Sequence, residues 1–210
     1  MTLYDRYVLP RLVHFVCGQR LASRQRAAVI PRASGEVLEV GFGSGHNLPH
    51  YDAGAVTRLV ALEPSEAMWQ LARPAVERSP LPVEVVVASA EEVPLADASV
   101  DTVVATYTLC TVPDAGRALR EARRVLRPGG RLLFCEHGEA PDEAVRRWQR
   151  RLDPLWTRLA GGCHLGRPIP VLVEAAGFRL VELSALYLPG WRPAAFNFRG
   201  EAAPVDPPSR

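Results

Sequence analysis

The residues of this 210-residue chain that could do chemistry fall into two groups. The first is Glu39, Gly41, Gly43, Gly45 and Glu63. The stretch Glu36-Val37-Leu38-Glu39-Val40 reads as a short apolar strand running into the glycines. Glycine lets the backbone turn tightly and approach a ligand closely. The helix pattern beyond the turn would aim free N–H groups back at that ligand. Glu63 ends the next apolar run, Leu59-Val60-Ala61-Leu62. An acid about 20 residues after such a turn holds a ribose hydroxyl. A nucleoside-containing ligand at the end of a parallel strand is the expectation.

The glycines run Gly-x-Gly-x-Gly, not Gly-x-Gly-x-x-Gly. A dinucleotide needs its pyrophosphate on the helix N-terminus. Here Glu39 stands two residues before Gly41, where a carboxylate repels a pyrophosphate and attracts an ammonium. That favours S-adenosyl-L-methionine (SAM) over NAD or FAD. The residues expected to hold it are Glu39, Gly41, Gly43, Gly45 and Glu63, with Asn47, Pro64 and Thr106 beside them.

The second group is Cys110, His137, Asp153 and Cys163. Methyl transfer from a sulfonium chiefly needs positioning and exclusion of water. A base is needed only where the nucleophile must lose a proton. Cys110 either shapes an acceptor site or fills space as a small hydrophobe. His137 is a base, alone or oriented by Glu136, or simply a satisfied polar residue at a strand end. Cys163-His164 follows Gly161-Gly162 and either binds a soft ligand, responds to oxidation, or is an inert loop. The four cysteines, Cys17, Cys110, Cys135 and Cys163, fit no zinc spacing, so no metal is expected. Cys135 reads as core.

These groups need elements to position them. Val83–Val87 reads as a third strand, and Val100–Val104 as a fourth that ends at Thr106-Tyr107-Thr108-Leu109-Cys110. Ala118–Leu126 reads as a helix stopped by Arg127-Pro128-Gly129-Gly130, and Arg131–Phe134 as a fifth strand. Strand–helix alternation over 36–136 implies a mostly parallel sheet covered on both faces. Phe178–Leu186 and Trp191–Phe198 read as two final strands, and the Pro/Ala-rich tail from Ala202 as mobile. The organisation is one α/β domain over 1–210: an N-terminal helical lid over 1–30, a SAM-binding core over 36–136, and a substrate lid with C-terminal strands over 137–200.

Two helical stripes flank the core. Tyr4, Tyr7, Val8, Leu12, Phe15 and Val16 share one apolar face, with Pro10 as a kink. It is a helix packed on the domain, a lid that closes Tyr4 and Tyr7 over SAM, or a membrane-surface helix with Arg6, Arg11 and Arg20 near headgroups. Val145, Trp148, Leu152, Leu155, Trp156 and Leu159 form the second stripe, beside a solvated arginine face. Asp153-Pro154 breaks it, which either turns Asp153 or Trp156 toward the pocket or only kinks the helix.

The glycine turn, Glu63 and Val125-Leu126-Arg127-Pro128-Gly129-Gly130 resemble motifs of the class I SAM-dependent methyltransferases. That resemblance implies a Rossmann-like fold whose C-terminal strands form an antiparallel hairpin. It also implies an adenine lined by Ser89 to Glu91, where Ser89 replaces a frequent Asp. Thr106-Tyr107-Thr108-Leu109 lacks the Asn/Asp-Pro-Pro-aromatic motif of amino-methylating nucleic-acid enzymes. Thr108-Leu109-Cys110-Thr111-Val112, Cys135-Glu136-His137 and Arg151-Leu152-Asp153-Pro154-Leu155-Trp156 through Gly162-Cys163 resemble the alkyl-thiol methyltransferases of the methyltransferase-like group. The resemblance implies methylation of small thiols, hydrogen sulfide included. Tyr4, Tyr7, Cys110, Trp156 and Cys163 are then substrate residues, and His137, Cys110 and Asp153 catalytic ones. The runner-up acceptor is a lipid or quinone, and the non-enzymatic alternative is a SAM-binding scaffold.

Composition sets the bounds. Formal net charge is +2, and all 25 basic residues are arginine, which gives no case for a nucleic-acid surface. No run of about 20 apolar residues predicts a transmembrane helix. No N-terminal signal pattern is present, so a cytoplasmic protein with free thiols is expected, with peripheral membrane contact left open.

Overall fold

The computed structural model describes residues 3–205; the side chains of Asp5 and Arg6 lie outside the description, and with them the expected headgroup role of Arg6. Seven strands form one sheet in the order β3-β2-β1-β4-β5-β7-β6. β1 is Gly35–Val40, β2 Val56–Leu62, β3 Val83–Val86, β4 Val100–Thr106 and β5 Leu126–His137. These five run parallel. β6 (Phe178–Tyr187) and β7 (Phe196–Pro204) close the sheet as an antiparallel pair, β7 lying against β5.

The central strands are apolar on both faces because both faces are covered. Leu38, Val40, Val60, Leu62 and Val103 pack on one side with Leu119 and Val125. Val37, Leu59, Ala61 and Val104 pack on the other with Ile30 and Ala72. Truncating fully buried Leu38 or Leu59 to alanine costs about 2–5 kcal/mol. Helix starts follow their caps. Ser65 Oγ accepts from Met68 N at 3.3 Å to open α3 (Glu66–Glu77), and Asp114 accepts from Arg117 N at 2.8 Å to open α4 (Ala115–Val125).

The strand order reverses between β1 and β4, which places a crevice beyond their carboxyl ends. The N-terminal α1 (Leu9–Cys17) and α2 (Arg20–Ala27) and the long α5 (Glu143–Leu159) border it. Pro10 sits in the first turn of α1, where its missing N–H is harmless.

Three expectations are corrected. Trp191–Phe198 is not a strand: α7 occupies Arg192–Ala195, with Pro193 in its first turn, and β7 starts at Phe196. The tail from Ala202 is paired through Pro204, because Gly200 lets the bulged β6 approach; a Cβ there would lie 2.1 Å from Glu182 O. Asp153-Pro154 does not break α5, which runs through Pro154 to Leu159. Its inward face is Val145 and Gln149, both buried, with Leu152 and Trp156 half-buried beside them, while Trp148, Leu155 and Leu159 are each more than half exposed. The apolar face of α1 is likewise turned outward, with Phe15 69% exposed.

Candidate active site

The donor side is built on the turn after β1. Gly41 has φ +68°, and a Cβ there would meet Thr108 Oγ1 at 2.3 Å, so the turn can touch β4's end only as glycine. Gly43 has φ +58° and faces space: a Cβ would meet nothing closer than Met68 Cε at 3.5 Å. Its N–H donates to Glu63 Oε2 at 2.7 Å, and Ser65 N–H donates to Glu63 Oε1 at 2.9 Å. Each Glu63 oxygen keeps a free lone pair. Burial holds the Glu63 carboxyl above its ordinary pKa.

Glu39 is buried beneath the turn. It accepts from Asn47 Nδ2 at 2.9 Å and from Tyr51 Oη at 2.6 Å. Burial outweighs both bonds and pushes its pKa up to about 7. Asn47 Nδ2 also donates to Thr106 Oγ1 at 3.0 Å, and Asn47 Oδ1 is buried without a partner. An unpartnered buried acceptor beside a buried carboxylate suits an ammonium donor, as the amino-acid end of SAM supplies. Opposite them Arg26 is 4% exposed, with its Nε unpartnered and its guanidinium 5.1 Å from the Tyr107 ring centroid. Tyr107 itself holds φ +54°, a strained conformation for a bulky residue at the mouth of β4.

The expected adenine segment divides. Ala90 is buried, and Ser89 is exposed with its Oγ 3.2 Å from Glu91 Oε2. Glu91 Oε1 accepts from Asp114 N at 2.5 Å and so ties the segment to α4. Pro64 is exposed at the end of β2. A groove of about 340 Å³ between α1, α2 and α3 is lined by His14, Ser44 and His46 and shares only Gly45 with the expected cofactor residues.

The acceptor side is a second convergence. The Glu136 carboxylate, fully buried, accepts from Thr108 N at 2.8 Å, Leu109 N at 2.9 Å and Cys110 N at 3.2 Å. Glu136 therefore shapes the turn after β4 and is not spent orienting His137. The turn delivers Cys110, β5 delivers His137, and the Gly161-Gly162 turn delivers Cys163. Their ligand atoms all lie within 4.8 Å of one another. His137 Nε2 is 2.8 Å from Cys163 Sγ, and Trp156 Nε1 donates to the same sulfur at 3.5 Å. The neighbouring Cys110 thiol and burial push the Cys163 pKa well above its ordinary value.

Asp153 stands one step behind. Its oxygens accept from His164 Nδ1 at 2.8 Å and Leu165 N at 2.6 Å, which pins the turn that carries Cys163. It is a positioning residue. His164 N donates to Cys110 O at 2.8 Å and joins the two turns. Tyr4 Oη donates to Leu159 O at 2.7 Å, so Tyr4 fastens the N-terminal segment to the end of α5. Tyr7 is half exposed.

Three contributors escaped sequence reasoning. Gln149, hidden among arginines, is buried and bonds Ala140 N, Gly138 O, Leu165 O and Pro193 O at 3.0–3.1 Å. Arg167 donates to Leu109 O and Val112 O at 2.6 Å. Arg26 completes the set. The one available signal was spacing: Gln149 lies four residues after Val145 and seven before Trp156, on their helical face.

Comparison with known proteins bears on the fold and the family. A methyltransferase domain model matches residues 38–134. The thiol S-methyltransferase TMT1B of Homo sapiens is 37% identical over 177 residues, 81% of this chain and 72% of that protein. TMT1A of Homo sapiens is 38% identical over 76% of this chain and 66% of its own length. TMT1B of Rattus norvegicus is 36% identical over 77% of this chain, which spans 65% of that protein. Among solved structures, a SAM-dependent methyltransferase of Thermotoga maritima shares the fold at TM-score 0.63 and 24% identity, covering 95% of this chain and 96% of that one. The [4+2]-cyclase SpnF shares it at TM-score 0.66 and 19% identity, covering 88% and 82%. The fold alone thus hosts more than one chemistry. The chain belongs to the class I SAM-dependent methyltransferases, in the family that includes the thiol S-methyltransferases.

Proposed function

We propose that this protein transfers the methyl group of SAM to the sulfur of a small thiol. The observation that carries the reading is the meeting of Cys110, His137 and Cys163 at the strand edge that also holds Glu39, Gly43 and Thr106. Two thiols, an imidazole and the Trp156 ring make a polarizable seat suited to sulfur. The relatives named thiol S-methyltransferase support it.

SAM, when bound, supplies an electrophilic methyl on a sulfonium. The chain's own residues do the rest. Glu39 and the free Asn47 Oδ1 receive the ammonium, and Arg26 balances the carboxylate. Glu63 holds the ribose hydroxyls, with Pro64 beside it. Ser89, Ala90 and Glu91 border the adenine. Gly41, Gly43 and Gly45 let the ligand lie against the backbone. The lids, from Tyr4 and Tyr7 and from α5, keep water from the sulfur. The acceptor must become a thiolate, and the Cys110–His137–Cys163 group is the chemistry present where that proton leaves. The test is acceptor choice: S-adenosylhomocysteine release with thiols, amines, phenols, quinols and lipid vesicles in parallel. Saturable release confined to thiols supports the reading.

A second reading is a lipid or quinone acceptor. The exposed Leu12, Phe15, Val16, Trp148, Leu155 and Leu159, with arginines among them, favour it. Among the described residues no helix is long and apolar enough to cross a membrane. Vesicle co-sedimentation with quinol- or lipid-dependent turnover would carry that reading over the thiol one.

A further inference from the structure

We propose that Cys110, His137 and Cys163 form a binding site for a soft divalent cation, zinc by its chemistry, whose open position takes the acceptor sulfur. This rests on the thiol reading for its second half only; the cation site stands on the three side chains.

The spacing of the three residues, 110, 137 and 163, matches no short zinc motif, since each ligand comes from a different element. The fold assembles them. Their ligand atoms lie within 4.8 Å of one another, and His137 Nε2 is 2.8 Å from Cys163 Sγ. A tetrahedral zinc at ~2.3 Å from sulfur and ~2.0–2.1 Å from nitrogen spaces its ligands about 3.5–3.8 Å apart. Loading the site asks each side chain to move by about 1 Å or less, within rotamer adjustment.

The donor set fits a soft ion rather than magnesium or calcium, which take oxygen ligands. Two cysteines and one histidine leave a tetrahedron incomplete, the composition of catalytic rather than structural zinc sites. Charge balances as well. Two thiolates neutralise a divalent cation, so the loaded cluster adds no net charge between buried Glu136 and half-buried Arg167. Supporting bonds fix the two sulfurs: Glu136 holds Cys110 N, His164 N holds Cys110 O, and Asp153 pins the Cys163 turn. Trp156 covers Cys163 and limits solvent.

The chemistry closes. The two cysteine protons go to solvent when the cation binds. An acceptor thiol that takes the open position loses its proton to solvent and keeps its sulfur lone pair. That pair forms the new sulfur–carbon bond as the sulfonium–methyl bond breaks. The neutral thioether is a weak ligand and leaves.

The experiment uses the full chain, purified under reducing conditions and stripped with a chelator. Zinc is titrated in competition with a chromophoric chelator, and cobalt is added separately to read thiolate-to-metal charge-transfer absorption. One equivalent bound, with that absorption, is the expected result. Cys163→Ser and Cys110→Ser should each weaken zinc by more than the ~10–100-fold that loss of a supporting residue costs. Both should keep wild-type SAM binding, which shows that they fold. Cys17→Ser, outside the cluster, should bind zinc as wild type does. Absence of stoichiometric binding, or binding that survives Cys163→Ser, overturns the site. Equal thiol turnover by stripped and loaded protein overturns the role of the open position and leaves the thiol reading standing. Zinc bound with turnover only on non-thiol acceptors overturns the thiol reading and leaves the site.

Discussion

His137 Nε2 lies 2.8 Å from Cys163 Sγ, although 26 residues and a 17-residue helix separate them in the chain. The contact exists because Gln149 and Asp153, both on α5, hold the returning segment by Leu165 O, Leu165 N and His164 Nδ1. A sulfur-rich cluster is therefore built by a helix whose own sequence advertises arginines.

Asp153 tests the construction. Asp153→Ala removes the acceptor of His164 Nδ1 and Leu165 N and should cost about 1–3 kcal/mol of stability. The Cys163 turn should loosen, raising KM for the acceptor severalfold while SAM affinity stays unchanged. A mutant with altered SAM affinity and wild-type acceptor KM would contradict the positioning role.

Glu63 tests the ribose site. Glu63→Ala removes charge-assisted bonds and should weaken SAM by about 1.5–3 kcal/mol in calorimetry. Unchanged affinity would remove Glu63 from the cofactor site.

Glu39 makes binding and stability depend on pH in opposite directions. Its folded pKa, about 7, lies above the ordinary 4.5 because of burial. Between those values the folded chain holds a proton that the unfolded chain has released. Stability should therefore fall as pH rises from about 4.5 to 7 and level off above. The ammonium of SAM favours the carboxylate, so SAM should bind more tightly as pH rises through 7, and binding near pH 6 should release a proton. Calorimetry in two buffers of different ionisation heat reads that proton. Glu39→Gln should abolish its release.

The glycines separate folding from binding. Gly41→Ala meets Thr108 and a left-handed φ, and should lose at least about 2 kcal/mol of stability. Gly43→Ala meets only the φ penalty, about 1–2 kcal/mol, yet should lose most SAM affinity because its Cβ enters the ligand's space. Equal effects of the two on SAM at equal stability would refute the distinction.

The core of the fold was legible in the sequence because local signals agreed with the global one. Apolar runs, the glycine turn and the Pro-Gly-Gly stop each report strand or turn without tertiary help. β7 was misplaced because Pro193 looks like an interruption in a strand when it is the start of a helix, and because Gly200 to Ala203 carry no apolar alternation. The donor residues stood out through spacing. The acceptor cluster did not, since Cys110, His137 and Cys163 become neighbours only by packing. Glu136 read as an orienting partner of His137, and its carboxylate instead accepts from three backbone N–H groups. Gln149 and Arg26 were invisible because burial of a polar side chain is a property of its surroundings, not of its type.

The most direct test is the product. The protein is incubated with SAM carrying a labelled methyl and a short alkyl thiol, and the thioether is measured by mass spectrometry. The account predicts label on sulfur, formed saturably and in equal amount with S-adenosylhomocysteine. Confirmed SAM binding without labelled thioether, alongside labelled quinol or lipid, would contradict it.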